Sequence, residues 1–336
     1  EGVPARGPAL PGRDASVATT SETARVGVPL CGALYGVMPW LTTFLRETGV
    51  AFRVLRADAK TLARGEERAA SYDTCAPAKV AHGLIDDDVD EVFFPKLLDL
   101  NTPGGRGGVT CAMEQALPEI VRESLLARGC KVRVHSPALS LASGPELAEL
   151  GELARAVERM GGRTENIPAA LRAAHAQQRA FSRRCEEIGE RTLAYAREHG
   201  VPVVVLVGSL HVVHDAVLSA RIPATLRENG VLALPMDCLP QAADLPALTR
   251  IAWADAHRAL GAALSAQKLG FVYPIWLSAY GCGPSSFVEQ IFAALMAGYP
   301  FAVLESDGHG GLAGYVTRVQ AFLHTVARHS RRPHAL

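Results

Sequence analysis

Four continuous apolar runs, separated by segments of helix length, constrain the fold of this chain more than any other feature. They are VPVVVLVG at 201–208, GVLALP at 230–235, FVYPIWLSAY at 271–280 and PFAVLE at 300–305. Strands that are apolar on both faces are covered on both sides, which is typical of parallel sheets in α/β folds. The sequence therefore predicts a parallel α/β unit over residues 201–328, whose ligands would bind where the strands end.

A second set of apolar runs precedes this unit and predicts another α/β domain. Each run is predicted to form one strand, and the runs are ARVGVPL at 24–30, AFRVL at 51–55, EVFFPKL at 91–97 and CKVRVHSP at 130–137. A chain of 336 residues is long for a single hydrophobic core. We therefore predict an α/β fold in which two domains with parallel sheets are joined by a helical connector.

The predicted domain limits follow changes in composition along the chain. Residues 1–23 are rich in Pro, Gly, Ser, Thr and Ala, which favours a flexible leader or linker. The N-terminal α/β domain is expected over 24–144 and the C-terminal one over 201–328, with a tail at 329–336. Between the domains, 145–200 carries an Arg, Glu and Ala-rich run with few β-branched residues, and this composition predicts the helical connector.

The charge balance argues against nucleic acid or an anionic membrane as a partner. The chain has 34 basic and 34 acidic side chains, so it has no net charge that would attract a polyanion over a long range. Its apolar runs fall short of the ~20 residues that a membrane span needs, and its start lacks a signal-peptide pattern. We expect a cytoplasmic protein. Because the chain begins at Glu1 rather than Met, we also expect it to be cut from something longer.

Seven cysteines at irregular spacing argue against a disulfide framework and favour metal or redox use. Cys75, Cys111 and Cys282 each lie in a predicted loop-to-helix turn with Pro or Gly nearby. The free N–H groups of a helix start favour a thiolate, and iron–sulfur clusters take thiolate ligands. Three such thiolates from separate loops can meet in a cleft between domains. The alternative is that they are structural cysteines in tight turns.

The other four cysteines suggest simpler roles. Cys130 opens a predicted strand, Cys185 lies on the polar connector helix and Cys238 follows a strand, so core or incidental roles are expected. Cys31 lies beside Gly32 after the first strand and is a candidate fourth ligand.

Two further clusters of polar residues follow predicted strands. Asp307 and His309 lie in a Gly-rich turn after PFAVLE, where His309 and Cys282 can form a nucleophilic Cys/His pair, unless the turn is merely structural.

The second cluster follows Gly208, which ends a strand before a helix, as in many phosphate cradles. Neither GxGxxG nor GxxxxGK[ST] occurs, so a nucleotide site is not predicted. His211 and His214 follow Gly208 without the third ligand of a zinc site nearby in the sequence.

Seven stretches resemble, in order, the iron–sulfur component family of 2-hydroxyacyl-CoA dehydratases, and most closely its activase-related branch, which is often fused to ATP-dependent activator domains. They span roughly residues 24 to 325 and are GVPLCGALYGVMPWLTTFLRETGV, SYDTCAPAKVAHG, EVFFPKL, TCAMEQALPEIV, VVVLVGSLH, LSAYGCGPSS and ESDGHGGLAGYVTRVQAF.

The resemblance implies two Rossmann-like domains with a 4Fe-4S cluster between them, held by Cys75, Cys111 and Cys282. It implies low-potential electron transfer, or reductive radical dehydration or reduction of an acyl-CoA, as a lyase or oxidoreductase component. An ATP-dependent activator would be the partner, and dimers are expected by analogy. Replacing any of the three cysteines with alanine should abolish the cluster, whereas Cys185→Ala should not.

Two alternatives from other functional classes stay open. The chain departs from the family pattern at Leu30, Ser209 and Leu210, where the family has Arg, Arg and Pro. These departures would suit a cluster-free docking or regulatory module that keeps the fold and binds an activator. The other alternative is a thiol enzyme that uses Cys282 with His309.

Overall fold

The structure is a computed structural model that describes residues 24–71, 73–102, 107–144, 146–241, 251–306 and 311–330. The predicted linker at 1–23 and most of the predicted tail lie outside these residues. The strands are β1 (Val26–Pro29), β2 (Phe52–Leu55), β3 (Glu91–Phe93), β4 (Lys96–Asn101), β5 (Gly107–Val109), β6 (Arg133–His135), β7 (Ala138–Ser140), β8 (Val203–Gly208), β9 (Leu232–Pro235), β10 (Val272–Ala279) and β11 (Ala302–Ser306).

Helices alternate with these strands along most of the chain. They are α1 (Met38–Glu47), α2 (Thr61–Arg68), α3 (Ala76–Leu84), α4 (Ala112–Ala127), α5 (Leu147–Arg159), α6 (Ile167–His199), α7 (Leu210–His214), α8 (Ile222–Glu228), α9 (Ala254–Leu269), α10 (Gly283–Leu295) and α11 (Leu312–Ser330). None of the helices in the described ranges is long and apolar enough to cross a membrane.

Two fully parallel sheets confirm the predicted α/β fold class. The first has the strand order β2-β1-β3-β6 and the second the order β11-β10-β8-β9. The segment predicted as the helical connector contains α5 and the 33-residue α6, which ends at Gly200 in the left-handed conformation. The architecture is that of Rossmann-like α/β domains, whereas the exact domain limits stay predictions.

The second sheet is covered on both faces, as its continuous apolar strands predict. Along β8, Val204 and Leu206 belong to one apolar cluster, and Val205 and Val207 belong to another. Successive side chains of a strand point to opposite faces, so the two clusters lie on opposite sides of the sheet. The first cluster continues into the N-terminal sheet through residues such as Val28. The two sheets therefore share part of their core.

The prediction of a single strand over 91–97 was wrong, because the chain changes sheet there. β3 ends at Phe93, and β4 begins at Lys96 in a small third sheet with the order β5-β4-β7. Pro95 lies between them and lacks the N–H that a continuous ladder would use. The third sheet, which is mixed, was not predicted. This sheet positions Cys111, because β5 ends two residues before it.

A buried ion pair joins the edge strand β6 to β3. His135 Nε2 lies 2.6 Å from Glu91 Oε2, and Arg133 pairs with the other carboxylate oxygen. Burial raises the pKa of Glu91, but the hydrogen bonds from Arg133 and His135 lower this pKa by more. The net shift of the Glu91 pKa is therefore downward.

We expect Glu91→Gln to lower the free energy of unfolding by about 2 kcal/mol at pH 7, because it removes charge-assisted hydrogen bonds. A depressed carboxyl pKa contributes stability above the unfolded-state pKa, and this contribution is lost as the pH falls through the folded-state value. The difference between variant and wild type should therefore shrink below the usual glutamate pKa. Urea unfolding between neutral and acidic pH measures it, and a difference independent of pH would contradict the assignment.

Candidate functional site

Three cysteines occupy the same structural position, directly before the first residue of a helix. Cys75 precedes α3, Cys111 precedes α4 and Cys282 precedes α10, each with an extended backbone. α3 and α10 also have proline in their first turn, which favours a helix start at that point. The unpaired N–H groups of each first turn are thus available to a thiolate.

These cysteines come together at one cavity of about 60 Å³, which all three line. A single water needs roughly 10–15 Å³, so the cavity has room for several water-sized groups. Two of the segments are in direct contact, since the N–H of Ala76 donates to the carbonyl of Tyr280 over 3.3 Å. The three cysteines singled out from the sequence thus line one cavity, and their role as cluster ligands stays a prediction.

Gly281 makes the close approach of the Cys75 and Cys282 segments feasible. Its φ is +74°, a left-handed value that favours glycine. A Cβ at this position would lie 3.3 Å from the Cα of Cys75. The tight turn before Cys282 therefore depends on a residue without a side chain.

Burial raises the pKa of all three thiols, which favours their protonated form at neutral pH. Burial raises the pKa of Cys75 to about 11, and the Ala78 N–H offsets only part of this effect. Burial likewise raises the pKa of Cys111 and of Cys282, opposed by N–H groups at their helix starts. A metal bound to the sulfur atoms would stabilise the thiolates and displace these protons.

Acidic and basic side chains form one wall of the cavity. Glu114, in the first turn of α4, has its Oε1 3.3 Å from Nδ1 of the buried His211. Burial lowers the pKa of His211, but the Glu114 carboxylate more than reverses this and the net shift is upward. Burial raises the pKa of Asp255, whose Oδ1 lies 3.7 Å from Arg258 Nη1.

Four buried polar atoms around the cavity lack a hydrogen-bond partner. They are Glu114 Oε1, His211 Nδ1, Asp255 Oδ1 and Trp276 Nε1. The first three have charged neighbours, yet their geometry is not that of a hydrogen bond. Because buried polar groups in proteins are nearly always hydrogen-bonded, these four atoms would take water or a polar ligand in the cavity as their partner.

The structure separates the other cysteines from this cavity. Cys31 is 1% exposed and precedes a short 3-10 helix over Gly32–Gly36. It does not line the cavity, and burial with nearby Glu114 and Asp215 raises its pKa. Cys130 contacts Asp87 through its sulfur at 2.6 Å. Asp307 and His309, of which sequence reasoning paired His309 with Cys282, lie outside the described residues.

Sequence reasoning missed Glu114, Asp255, Trp253 and Trp276 as residues of the cavity wall. A signal existed for Glu114, which follows Cys111 by three residues and therefore lies in the first turn of the same helix. Asp255 occupies a comparable place in the first turn of α9. No local pattern distinguishes the two tryptophans from ordinary core residues, because their position depends on how the sheets and helices pack.

Comparisons with solved structures give only distant likenesses. A glucosamine-6-phosphate deaminase from Thermotoga maritima aligns at 12% identity over 92% of this chain and 88% of its own, with a TM-score of 0.22. A Bacillus subtilis protein described as a phosphosugar isomerase aligns at 10% identity over 93% and 90%, with a TM-score of 0.23. Alignments with TM-scores this low support no argument about function. No curated protein matches the chain.

A family model gives a firmer result. The model described as "CoA enzyme activase uncharacterised domain" matches residues 25–239, which is more than half of the chain. The matched part includes Cys75, Cys111 and His211, whereas Cys282 lies beyond it. The chain therefore belongs to the family of CoA enzyme activase domains that this model defines.

Proposed function

We propose that this protein is a 4Fe-4S protein that accepts a low-potential electron from an ATP-dependent activator and passes it to an acyl-CoA. Cys75, Cys111 and Cys282 would hold the cluster. The observation that carries the proposal is the convergence of three cysteines, each at a helix start, on one cavity. Membership in a CoA enzyme activase family supports the link to CoA chemistry.

The donor set fits an iron–sulfur cluster better than a single ion. Three thiols line the cavity, but their sulfur atoms are not gathered within 4.8 Å of one another, as the ligands of one ion would be. A cluster spans several iron atoms and takes thiolates that stand further apart. Three protein ligands would leave one iron of such a cluster open to substrate. When bound, such a cluster supplies one-electron chemistry at low potential.

The surrounding residues create a shielded environment for such a group. Trp276 is 2% exposed, and with Leu100, Met113 and Val288 it forms an apolar part of the wall. A shell of this kind limits solvent access and helps to set a reduction potential. On the polar side, Glu114 Oε1 and His211 Nδ1 lie 3.3 Å apart in the cavity wall, which would set a proton donor and its counter-charge beside the cluster.

ATP hydrolysis is assigned to the partner rather than to this chain. The sequence contains neither the GxGxxG nor the GxxxxGK[ST] pattern of common nucleotide sites. In the proposed transfer, the activator is oxidised by one electron and this protein is reduced by one electron. The energy of ATP hydrolysis would drive the electron to the low potential that the reaction needs.

Anaerobic mixing with a reduced ATP-dependent dehydratase activator tests this role. We expect about one electron per chain to be transferred, as a 4Fe-4S protein accepts a single electron, and to be seen as bleaching of the visible absorption. Transfer should require ATP, fail with a non-hydrolysable analogue, and be absent from Cys282→Ala. A fully iron-loaded protein that takes no electron from the activator with ATP would contradict the electron-transfer role while leaving the cluster assignment intact.

A further inference from the structure

A second cluster of metal-binding side chains lies away from the cavity described above. The sulfur atoms of Cys185 and Cys238 and a carboxylate oxygen of Asp237 all lie within 4.8 Å of one another. Within the described part of the chain, this is the sole group of at least three such residues gathered so closely. Both cysteines are free thiols and are buried, at 7% and 8% exposure.

The packing of α6 brings these residues together from distant parts of the chain. Cys185 lies in the middle of α6, while Asp237 and Cys238 lie in a 3-10 turn that follows β9. Gly189, one helical turn after Cys185, allows this contact, because a Cβ there would lie 1.6 Å from the carbonyl oxygen of Cys238. Residues four apart share a helix face, so the same approach sets Cys185 against Cys238.

A neighbouring histidine completes the arrangement. Nε2 of His214 lies 3.0 Å from Oδ1 of Asp237. Metal-binding carboxylates and histidines are commonly held in place by hydrogen bonds of this kind. The sequence offered no third ligand near His214, because the partner residues are supplied by β9 and α6 rather than by its own segment.

The cluster opens onto a cleft that gives a metal ion a way in. Cys185, His214 and Asp237 line a cavity of about 810 Å³. This cleft shares no lining residue with the cavity of Cys75, Cys111 and Cys282. Its wall also carries Arg46 and Arg258. Cys185 and Asp237 are thus accessible from the cleft, whereas Cys238 does not line it.

We propose that Cys185, Cys238 and Asp237 bind a divalent, thiolate-preferring cation of the zinc type. Two thiolates and one carboxylate are suitable zinc donors, and three protein ligands leave a fourth position open toward the cleft. The cysteines lose their protons on binding, and their two negative charges are offset by the cation. This site is independent of the proposed iron–sulfur cluster.

Zinc binding is tested on the full chain in a variant that carries Cys75→Ser, Cys111→Ser and Cys282→Ser, so that the first cavity offers no thiolate. We expect one zinc ion per chain after dialysis against Zn²⁺. Cobalt in place of zinc should give the near-ultraviolet absorption of a thiolate–Co²⁺ bond. Adding Cys185→Ser or Cys238→Ser should abolish both signals, whereas Cys130→Ser should leave them unchanged. Asp237→Asn should weaken zinc binding at least tenfold.

Three results would overturn the proposal. One is the absence of stoichiometric zinc in a folded triple variant. Another is zinc binding that persists in both Cys185→Ser and Cys238→Ser. The third is a Cys185–Cys238 disulfide that forms in the presence of excess zinc, which would identify a redox pair instead. If the triple variant does not fold, zinc content is compared between the unmodified chain and its Cys185→Ser variant, and equal zinc in the two would count against the site.

Discussion

Replacing Cys75, Cys111 or Cys282 with alanine is expected to reduce bound iron from about four atoms per chain to nearly none, because in the proposed cluster each of the three thiolates would hold a different iron. Each cysteine lines the same cavity and precedes a helix, so none of them has an evident substitute. Cys31, which the sequence offered as a candidate fourth ligand, is buried and does not line the cavity. The measurement is iron content after anaerobic reconstitution.

Cys130→Ala is the matched control for these variants. Cys130 is half-buried, as are the three candidate ligands, but its sulfur contacts Asp87 rather than the cavity. Circular dichroism of each variant separates loss of iron from loss of fold. Iron content that is equal in Cys130→Ala and the three cavity variants would show that the cavity cysteines are not ligands.

The second large effect is expected where two helices cross beside the Cys75 segment. Gly65 of α2 and Gly83 of α3 face each other across this crossing. A Cβ on Gly83 would lie 1.8 Å from the carbonyl oxygen of Thr61, and one on Gly65 would lie 1.8 Å from that of Lys79. No side-chain movement relieves a clash with backbone, so the helices would have to separate.

We therefore expect Gly83→Ala to lower the free energy of unfolding by about 3 kcal/mol, the upper part of the usual range for overpacked sites. Gly151→Ala is the control, since Gly151 is also helical but its nearest neighbour is the Arg155 side chain at 3.5 Å. That variant should be neutral or more stable, because alanine favours helix by about 1 kcal/mol over glycine. Urea unfolding measures both, and equal stabilities would contradict the crossing geometry.

The main features of the fold follow from the sequence for identifiable reasons. β8 and β10 are continuous apolar runs, and such runs require a parallel sheet covered on both faces. α6 extends over the residues that its composition predicts, because it lacks β-branched runs and ends at Gly200. The split between β3 and β4 was less evident, since Pro95 sits within an apolar run that otherwise resembles one strand.

The candidate site was predictable only in part. Cys75, Cys111 and Cys282 could be singled out because the helix start is a local property of the sequence around each of them. In contrast, Asp255 reaches the cavity through packing between elements. The same holds for Cys185 and Cys238, which were assigned incidental roles and meet because Gly189 lets α6 approach the turn after β9.

The measurement that tests the central claim most directly is the iron and acid-labile sulfide content of the unmodified chain after reconstitution without oxygen. The account predicts about four irons and four sulfides per chain, with a broad visible absorption that bleaches on reduction, as a thiolate-bound 4Fe-4S cluster would give. A folded, colourless protein without iron would contradict it, and would favour a docking module that keeps the three cysteines as structural residues.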